Sequence, residues 1–256
     1  MVDRRPVELE RHGMTTLASM IGEAPDTVMV IHALRQGRCR AWTTGKPGQD
    51  WAAVVQHLSF PDEPFGFGEE PRSLMAILST IGAWTAVCLP RSVGEGVARL
   101  LESETGRACS LIEEIYSTLE QLRPVPVAAG VRLLTKRDLS LIMASDDLGI
   151  GDWRFGSAQT LLQEGVVAGA VVGDRLVAVA FTAGIGDRYA DVGVVTHQDW
   201  RGRGLATACA ALVCSELMRR GLVPVWGASV ENLASRRVAA KLGFVEVSRR
   251  VYVNTG

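Results

Sequence analysis

The run Val194-Val195-Thr196-His197-Gln198-Asp199-Trp200-Arg201-Gly202-Arg203-Gly204-Leu205-Ala206-Thr207 decides how this chain is read. It enters as a strand, turns at two glycines and leaves as a helix. In that helix Leu205, Ala208, Leu212 and Val213 share one face. Arg219-Arg220-Gly221 closes it with the cations and the glycine that a helix C-terminus favours. At the other end, the first-turn N–H groups around Leu205, Ala206 and Thr207 have no intrahelical partner and carry partial positive charge, which suits a diphosphate. Gly202 and Gly204 let the backbone approach an anion without Cβ obstruction, and Arg201 and Arg203 add charge nearby. Two other phosphate motifs fail here. A dinucleotide fingerprint needs a glycine where Thr207 stands, and Gly45-Lys46 is followed by Pro47 in place of the Ser/Thr of a P-loop.

A second stretch follows at the distance of one further strand–loop–helix–strand unit: Trp226-Gly227-Ala228-Ser229-Val230-Glu231-Asn232-Leu233-Ala234-Ser235, then Lys241-Leu242-Gly243-Phe244. Together the two resemble the GNAT acetyltransferase superfamily. Arg201-x-x-Gly204-x-Ala206 is similar to its Gln/Arg-x-x-Gly-x-Gly/Ala pyrophosphate loop. Asn232-x-x-Ser235 leading into Lys241-Leu242-Gly243-Phe244 resembles its next motif. The resemblance covers the chain from the linker onward.

It implies a mixed sheet, flanked by helices, that splays open between the strand ending at Thr196 and the strand Pro224 to Ala228. Acetyl-CoA is the implied co-substrate, with its pantetheine arm paired along Val194, Val195 and Thr196 and with Asn232 and Ser235 beside it. Gly193 fits such a strand independently, because a glycine inside a strand marks a bulge or a close backbone approach. Asn232 also reads as a plain helix N-cap, and Lys241 to Phe244 as mainly structural.

The implied reaction is attack of an amine on the acetyl thioester. An oxyanion needs fixed donors, for which a backbone N–H near Val194 or Val195 serves. An amine of pKa ~10.4 is mostly protonated at neutral pH, and deprotonating it costs about 4–5 kcal/mol. Asp191 is the carboxylate on the strand leading into the site, on the face of Gly193 and Val195 by alternation, so it is the candidate base. Many members protonate the leaving thiolate with a tyrosine, but that position here is Ala239. Ser235 resembles the serine of members without the tyrosine, as a hydrogen-bond partner of sulfur. Catalytic candidates are therefore Ser235 and Asp191. The reading favours a small-molecule primary amine as acceptor. Protein N-termini or lysines, or an acyl-CoA-binding module without turnover, are the alternatives.

Leu122-Arg123-Pro124-Val125-Pro126-Val127-Ala128-Ala129-Gly130 reads as a linker, giving units 1–122 and 131–256 joined by residues 123–130. The fold class is α/β (α+β). After the linker, strands are expected at 131–134, 166–172, 176–181, 189–196, 224–228 and 244–253, with helices at 157–163, 204–220 and 233–241. Before it, Val28 to Leu34, Arg40 to Thr43, Trp51 to His57 and Trp84 to Leu89 read as strands, with Gln36-Gly37 as a turn. Helices are expected over Ser73 to Ile81 and from Ser92 to Gly106, while Leu111 to Leu119 fits either type. This order makes the first half a second, degenerate GNAT-like copy. Where its pyrophosphate loop is expected stands Pro61-Asp62-Glu63-Pro64-Phe65-Gly66-Phe67-Gly68-Glu69-Glu70, whose four carboxylates repel a diphosphate.

Composition sets the outer limits. With 27 Lys+Arg against 28 Asp+Glu in 256 residues, nucleic-acid binding by bulk positive charge is not expected. No apolar run approaches the ~20 residues of a membrane span, and the opening residues lack a signal peptide's apolar core. The expectation is a cytoplasmic protein with no membrane or nucleic-acid partner, and a homodimer is compatible with it. The five cysteines form no C-x-x-C and the four histidines no metal-spaced cluster, so no metal is assigned.

Overall fold

The computed structural model describes residues 5–46, 49–82, 84–126, 128–145, 148 and 154–255. Val127 of the linker, Pro47 of the rejected P-loop and Met1 to Arg4 lie outside them. The first half runs β1 (Val7–Glu8), α1 (Arg11–Ile21), α2 (Val28–Gln36), β2 (Cys39–Lys46), β3 (Gln49–His57), β4 (Phe60–Gly68), α3 (Pro71–Leu78), β5 (Ala86–Pro90), α4 (Arg91–Thr105) and β6 (Ser110–Thr118). The second repeats that order: β7 (Val131–Leu133), α5 (Leu139–Met143), α6 (Ala158–Glu164), β8 (Val167–Val172), β9 (Arg175–Ile185), β10 (Tyr189–Thr196), α7 (Leu205–Arg219), β11 (Val223–Ser229), α8 (Leu233–Leu242) and β12 (Val245–Asn254).

Among the described residues the twelve strands form one sheet, ordered β1-β2-β3-β4-β5-β12-β6-β11-β10-β9-β8-β7. Each half thus lends its last strand to the other: β12 pairs with β5, and β6 with β11. The sheet is antiparallel except at β4–β5 and β10–β11. Residues 123–130 separate the repeats along the chain, but the hydrogen bonding runs across them. Further ties join the halves on one face. The Glu23 carboxylate, after α1, accepts from the N–H groups of Asp187, Arg188 and Tyr189 at 2.8–2.9 Å, and Arg35 pairs with Asp187 at 2.7 Å.

Two expectations for the first half need correction. Val28 to Leu34 is helix α2, not a strand. Its Val, Ile and Leu side chains are buried on several sides, so the run has no polar face to show a 3.6-residue period. Gly37, at φ +64°, is its left-handed C-cap and not a hairpin turn. The acidic stretch from Pro61 is strand β4, not a loop. Pro61 and Pro64 fall where the β3–β4 register slips, between Val55↔Phe65 and His57↔Phe60, so their missing N–H groups break no ladder bond there. Leu111 to Leu119 resolves as a strand.

In the first half only Glu69-Glu70 separate β4 from α3, at the place where the sequence reading looked for a phosphate turn. Pro71 heads α3 and has no N–H, and the Glu70 carboxylate takes the Ser73 N–H at 2.6 Å. The helix's anion site is filled by its own side chain. Arg250 of β12 closes the neighbouring strand gap: it donates to Gly66 O on β4 at 2.6 Å and to Cys88 O on β5 at 3.2 Å, with Asp26 at 3.6 Å. It is 3% exposed. Removing a buried cation strands the groups it served, at roughly 3–5 kcal/mol. Arg250→Met should therefore lower the unfolding free energy by that amount, seen as a lower urea midpoint at an unchanged m-value.

Candidate active site

Strands β10 and β11 pair only over Tyr189↔Val223, Ala190↔Pro224 and Asp191↔Val225. Beyond Asp191 they part, while β10 stays paired to β9 through Thr196↔Ala178. The edge of Val192 to Thr196 that faces β11 is thus without a ladder partner, and this is the expected splay. Ala190, Val192 and Val194 pack with α7, whereas Val195 packs on the opposite face with Phe181. Gly193 shares that second face, since a Cβ there would stand 2.9 Å from the Phe181 ring. The bulge lies at Asp191/Val192, where β9 carries Ala183 as an extra residue.

The gap opens into a cleft of about 560 Å³. Its walls include Val194, Val195 and Thr196 of β10, Arg201 to Gly204 of the turn, and Leu205, Ala206 and Thr207 of the first turn of α7. Asn232 and Ser235 close it from α8. Gly202 and Gly204 sit at φ +75° and +77°, left-handed backbone that favours glycine. The first hydrogen bond of α7 is Ala208 N–H to Gly204 O, so the amides before it point at the cleft unshared. The two arginines are held in place. Arg203 lies 4.5 Å above the Trp200 ring and donates to Asp199 O, and Arg201 donates to Thr196 O. Arg237 and Lys241 also line the cleft, and among the described residues no carboxylate does. Sequence reading missed both cations as site residues; their i, i+4 spacing, which places them on one face of α8, was the available signal.

Asn232 caps α8, its Oδ1 accepting from the Ser235 N–H at 3.1 Å. Ser235 Oγ accepts from the Trp226 indole N–H at 2.8 Å, which leaves its own proton to aim elsewhere. Ala239 is buried against Leu242 and Trp226 in the core, and no tyrosine lines the cleft.

Past the closed end of the gap lies a group of carboxylates. Asp191 is 7% exposed. Burial raises its pKa to about 6, against the pull of Arg154, whose Nη1 is 3.6 Å away. Glu114, on β6, is raised to about 7 by burial first and then by the negative charges of Asp191 and Glu63. Its Oε1 lies over β11, 3.5 Å from where a Cβ on Gly227 would stand. The repeat sets off this residue. Glu114 faces Ser229, the last residue of β11, and Arg250 faces Pro90, the last residue of β5. Equivalent places thus hold an arginine that bridges the strands in one half and a carboxylate in the other. Glu114 escaped the sequence reading because β6 belongs to the first half and reaches this site only through strand exchange.

Among the described residues no cluster of His, Cys, Asp and Glu has the makings of a metal site. No helix among them is long and apolar enough to cross a membrane.

The family model for GNAT acetyltransferase matches residues 122–251. An uncharacterized N-acetyltransferase of Bacillus subtilis strain 168, YdfB, is 31% identical over 84 residues, which is 33% of this chain and about a third (32%) of that protein's length. Among solved structures, a GCN5-related N-acetyltransferase-like protein of Streptococcus suis superposes with a TM-score of 0.68 at 20% identity, covering 95% of this chain and 98% of that one. A tandem GNAT protein from the clavulanic acid biosynthesis pathway does so with 0.57 at 14%, covering 98% of each. Both share the fold across both halves. This chain belongs to the GNAT acetyltransferase family, its second half carrying the open, cation-lined gap and its first half repeating the same plan with that gap shut.

Proposed function

We propose that the chain is an acetyl-CoA-dependent N-acetyltransferase acting on a small-molecule primary amine. The observation that carries this reading is the order of groups along β10. Four cations and free helix amides lie around its C-terminal end, an unpaired edge runs over Val192 to Thr196, and the buried Asp191, with half-buried Glu114 beside it, stands where the edge begins. The cationic end suits the phosphates of CoA, and the edge of Val194, Val195 and Thr196 suits an extended amide-bearing arm, which adds to a sheet as a strand does.

In this reading Glu114, with Asp191 beside it, takes the proton from the incoming ammonium. A carboxylate with a pKa near 7 is matched to that task, because it is half ionised at working pH and still basic. The amine nitrogen then attacks the thioester carbon, a C–N bond forms and the C–S bond breaks. Backbone N–H near Val194 or Val195 meets the developing oxyanion. Ser235, its oxygen engaged by Trp226, hydrogen-bonds the leaving sulfur, and the second proton shed by the nitrogen as the amide forms goes to the thiolate.

Titration calorimetry with acetyl-CoA, followed by thiol release across a panel of amines, tests the reading. Binding with release for small amines is the expected result. Binding without release for any acceptor would make the chain an acyl-CoA-binding module. Release with peptides alone would move the acceptor to proteins.

A further inference from the structure

A second cavity opens beside the carboxylates, on the face of the sheet that carries α2. Met29 and Ala33 of α2, Val55 of β3, and Phe60 and Phe65 of β4 make its wall apolar. Its volume is about 120 Å³, close in scale to the ~150 Å³ apolar cavity that takes up a benzene ring. Two residues join it to the reaction end. Arg154 lines the cavity, stacks 5.5 Å from the Phe60 ring centre and lies 3.6 Å from Asp191. Glu63 lines it and acts by its charge on Glu114. Every wall residue named except Arg154 comes from the first half.

We propose that this cavity receives the body of the acceptor: an apolar, ring-sized group joined by a short chain to a cationic primary amine. The proposal rests on the reading above and adds the substrate class to it. Three carboxylates, Glu63, Glu114 and Asp191, stand at the inner end, where Arg154 is already engaged with Asp191 and Arg250 with Gly66 O, Cys88 O and Asp26. His57, also on the wall, is held neutral: burial first, then Arg154 and Arg38, push its pKa down to about 4. A cation is therefore attracted to the inner end. An amino acid would bring its carboxylate against the same three. A polyamine would leave a second ammonium among Met29, Ala33 and Phe65, where an unpaired charge is costly.

Thiol release by the full chain with saturating acetyl-CoA decides among 2-phenylethylamine, spermidine and glycine. The expected kcat/KM for 2-phenylethylamine exceeds that for spermidine at least 10-fold and that for glycine at least 100-fold. Met29→Trp, which fills the cavity, should raise the KM for 2-phenylethylamine at least 10-fold while the calorimetric affinity for acetyl-CoA stays within twofold. Glu63→Gln alters an exposed side chain, so folding is not at stake, and it should raise the same KM by 3- to 10-fold. Spermidine or glycine preferred, or both variants without effect on KM, overturns the proposal while the acetyltransferase reading stands. Loss is assigned differently if wild-type chain fails to bind acetyl-CoA at all: then the reading beneath it falls first.

Discussion

Glu114→Gln is expected to lower kcat by two to four orders of magnitude, the usual worth of a positioned general base. The amide keeps the shape and the bulk of the carboxylate over β11 but does not accept a proton. The pH profile separates this loss from mere misplacement. With Glu114 raised to about 7, wild-type kcat should climb with pH through that value, since the base works only unprotonated. The variant should lack the limb. Asp191→Asn gives a different signature. It removes a negative neighbour, so Glu114 ionises more readily and the limb should persist at lower pH. If Asp191 were itself the base, the limb would vanish in Asp191→Asn and survive in Glu114→Gln.

The same shifts make a statement about stability. Both carboxyls bind protons more tightly in the folded chain than their ordinary values of 4.5 and 3.8 allow. Folding is therefore favoured at low pH, and that contribution is lost as pH rises through about 6 to 7. Glutamine at 114 is spared the cost of ionising, so the variant's urea midpoint should exceed wild type's at pH 8 and meet it near pH 4.5. An inactive but more stable variant is what a strained functional group predicts.

How much of this was legible beforehand follows from where each part lies in the chain. The turn read for a phosphate is local. Strand, Gly202, Gly204 and helix are contiguous, and their chemistry is written in adjacent residues, so the residues read for it do line one cleft. The carboxylates are not local. Glu114 sits over 70 residues from Asp191 in sequence, and only the exchange of β6 and β12 brings them together. A pair of glutamates between the apolar residues Leu111-Ile112 and Ile115-Tyr116, Glu113-Glu114, was the one trace of it. Helix α2 was misread because a helix buried on several sides loses its period, and β4 because its prolines sit at a register slip. The closed first half was correctly read as altered but for a different reason. Its charges do not crowd a loop; Glu70 and Pro71 consume the helix start, and Arg250 stitches the strands.

Ala206→Glu should weaken acetyl-CoA binding by at least 100-fold, about 2.7 kcal/mol, without loosening the fold. Substitution at Gly204 would confuse the two effects, because its φ of +77° strains any other residue even though the space around it is open. Ala206 avoids this. It is the second helical residue of α7, half-buried on the cleft wall, and glutamate is a good helix former. A carboxylate in the first turn complements the helix dipole, worth ~0.3–1 kcal/mol in favour of the fold. That same complement occupies the amides reserved for phosphate and sets a negative charge against it. At ~4 Å, repulsion between unit charges runs from ~1 kcal/mol in water to ~4 kcal/mol near a protein surface. Ala206→Gln, with equal bulk and no charge, should keep most of the affinity, and added salt should narrow the gap between the two variants. Calorimetry at two ionic strengths, with thermal melts alongside, reads all of this. Undiminished affinity in a folded Ala206→Glu chain would remove the diphosphate from the start of α7, and with it the direction in which the substrate is laid along β10.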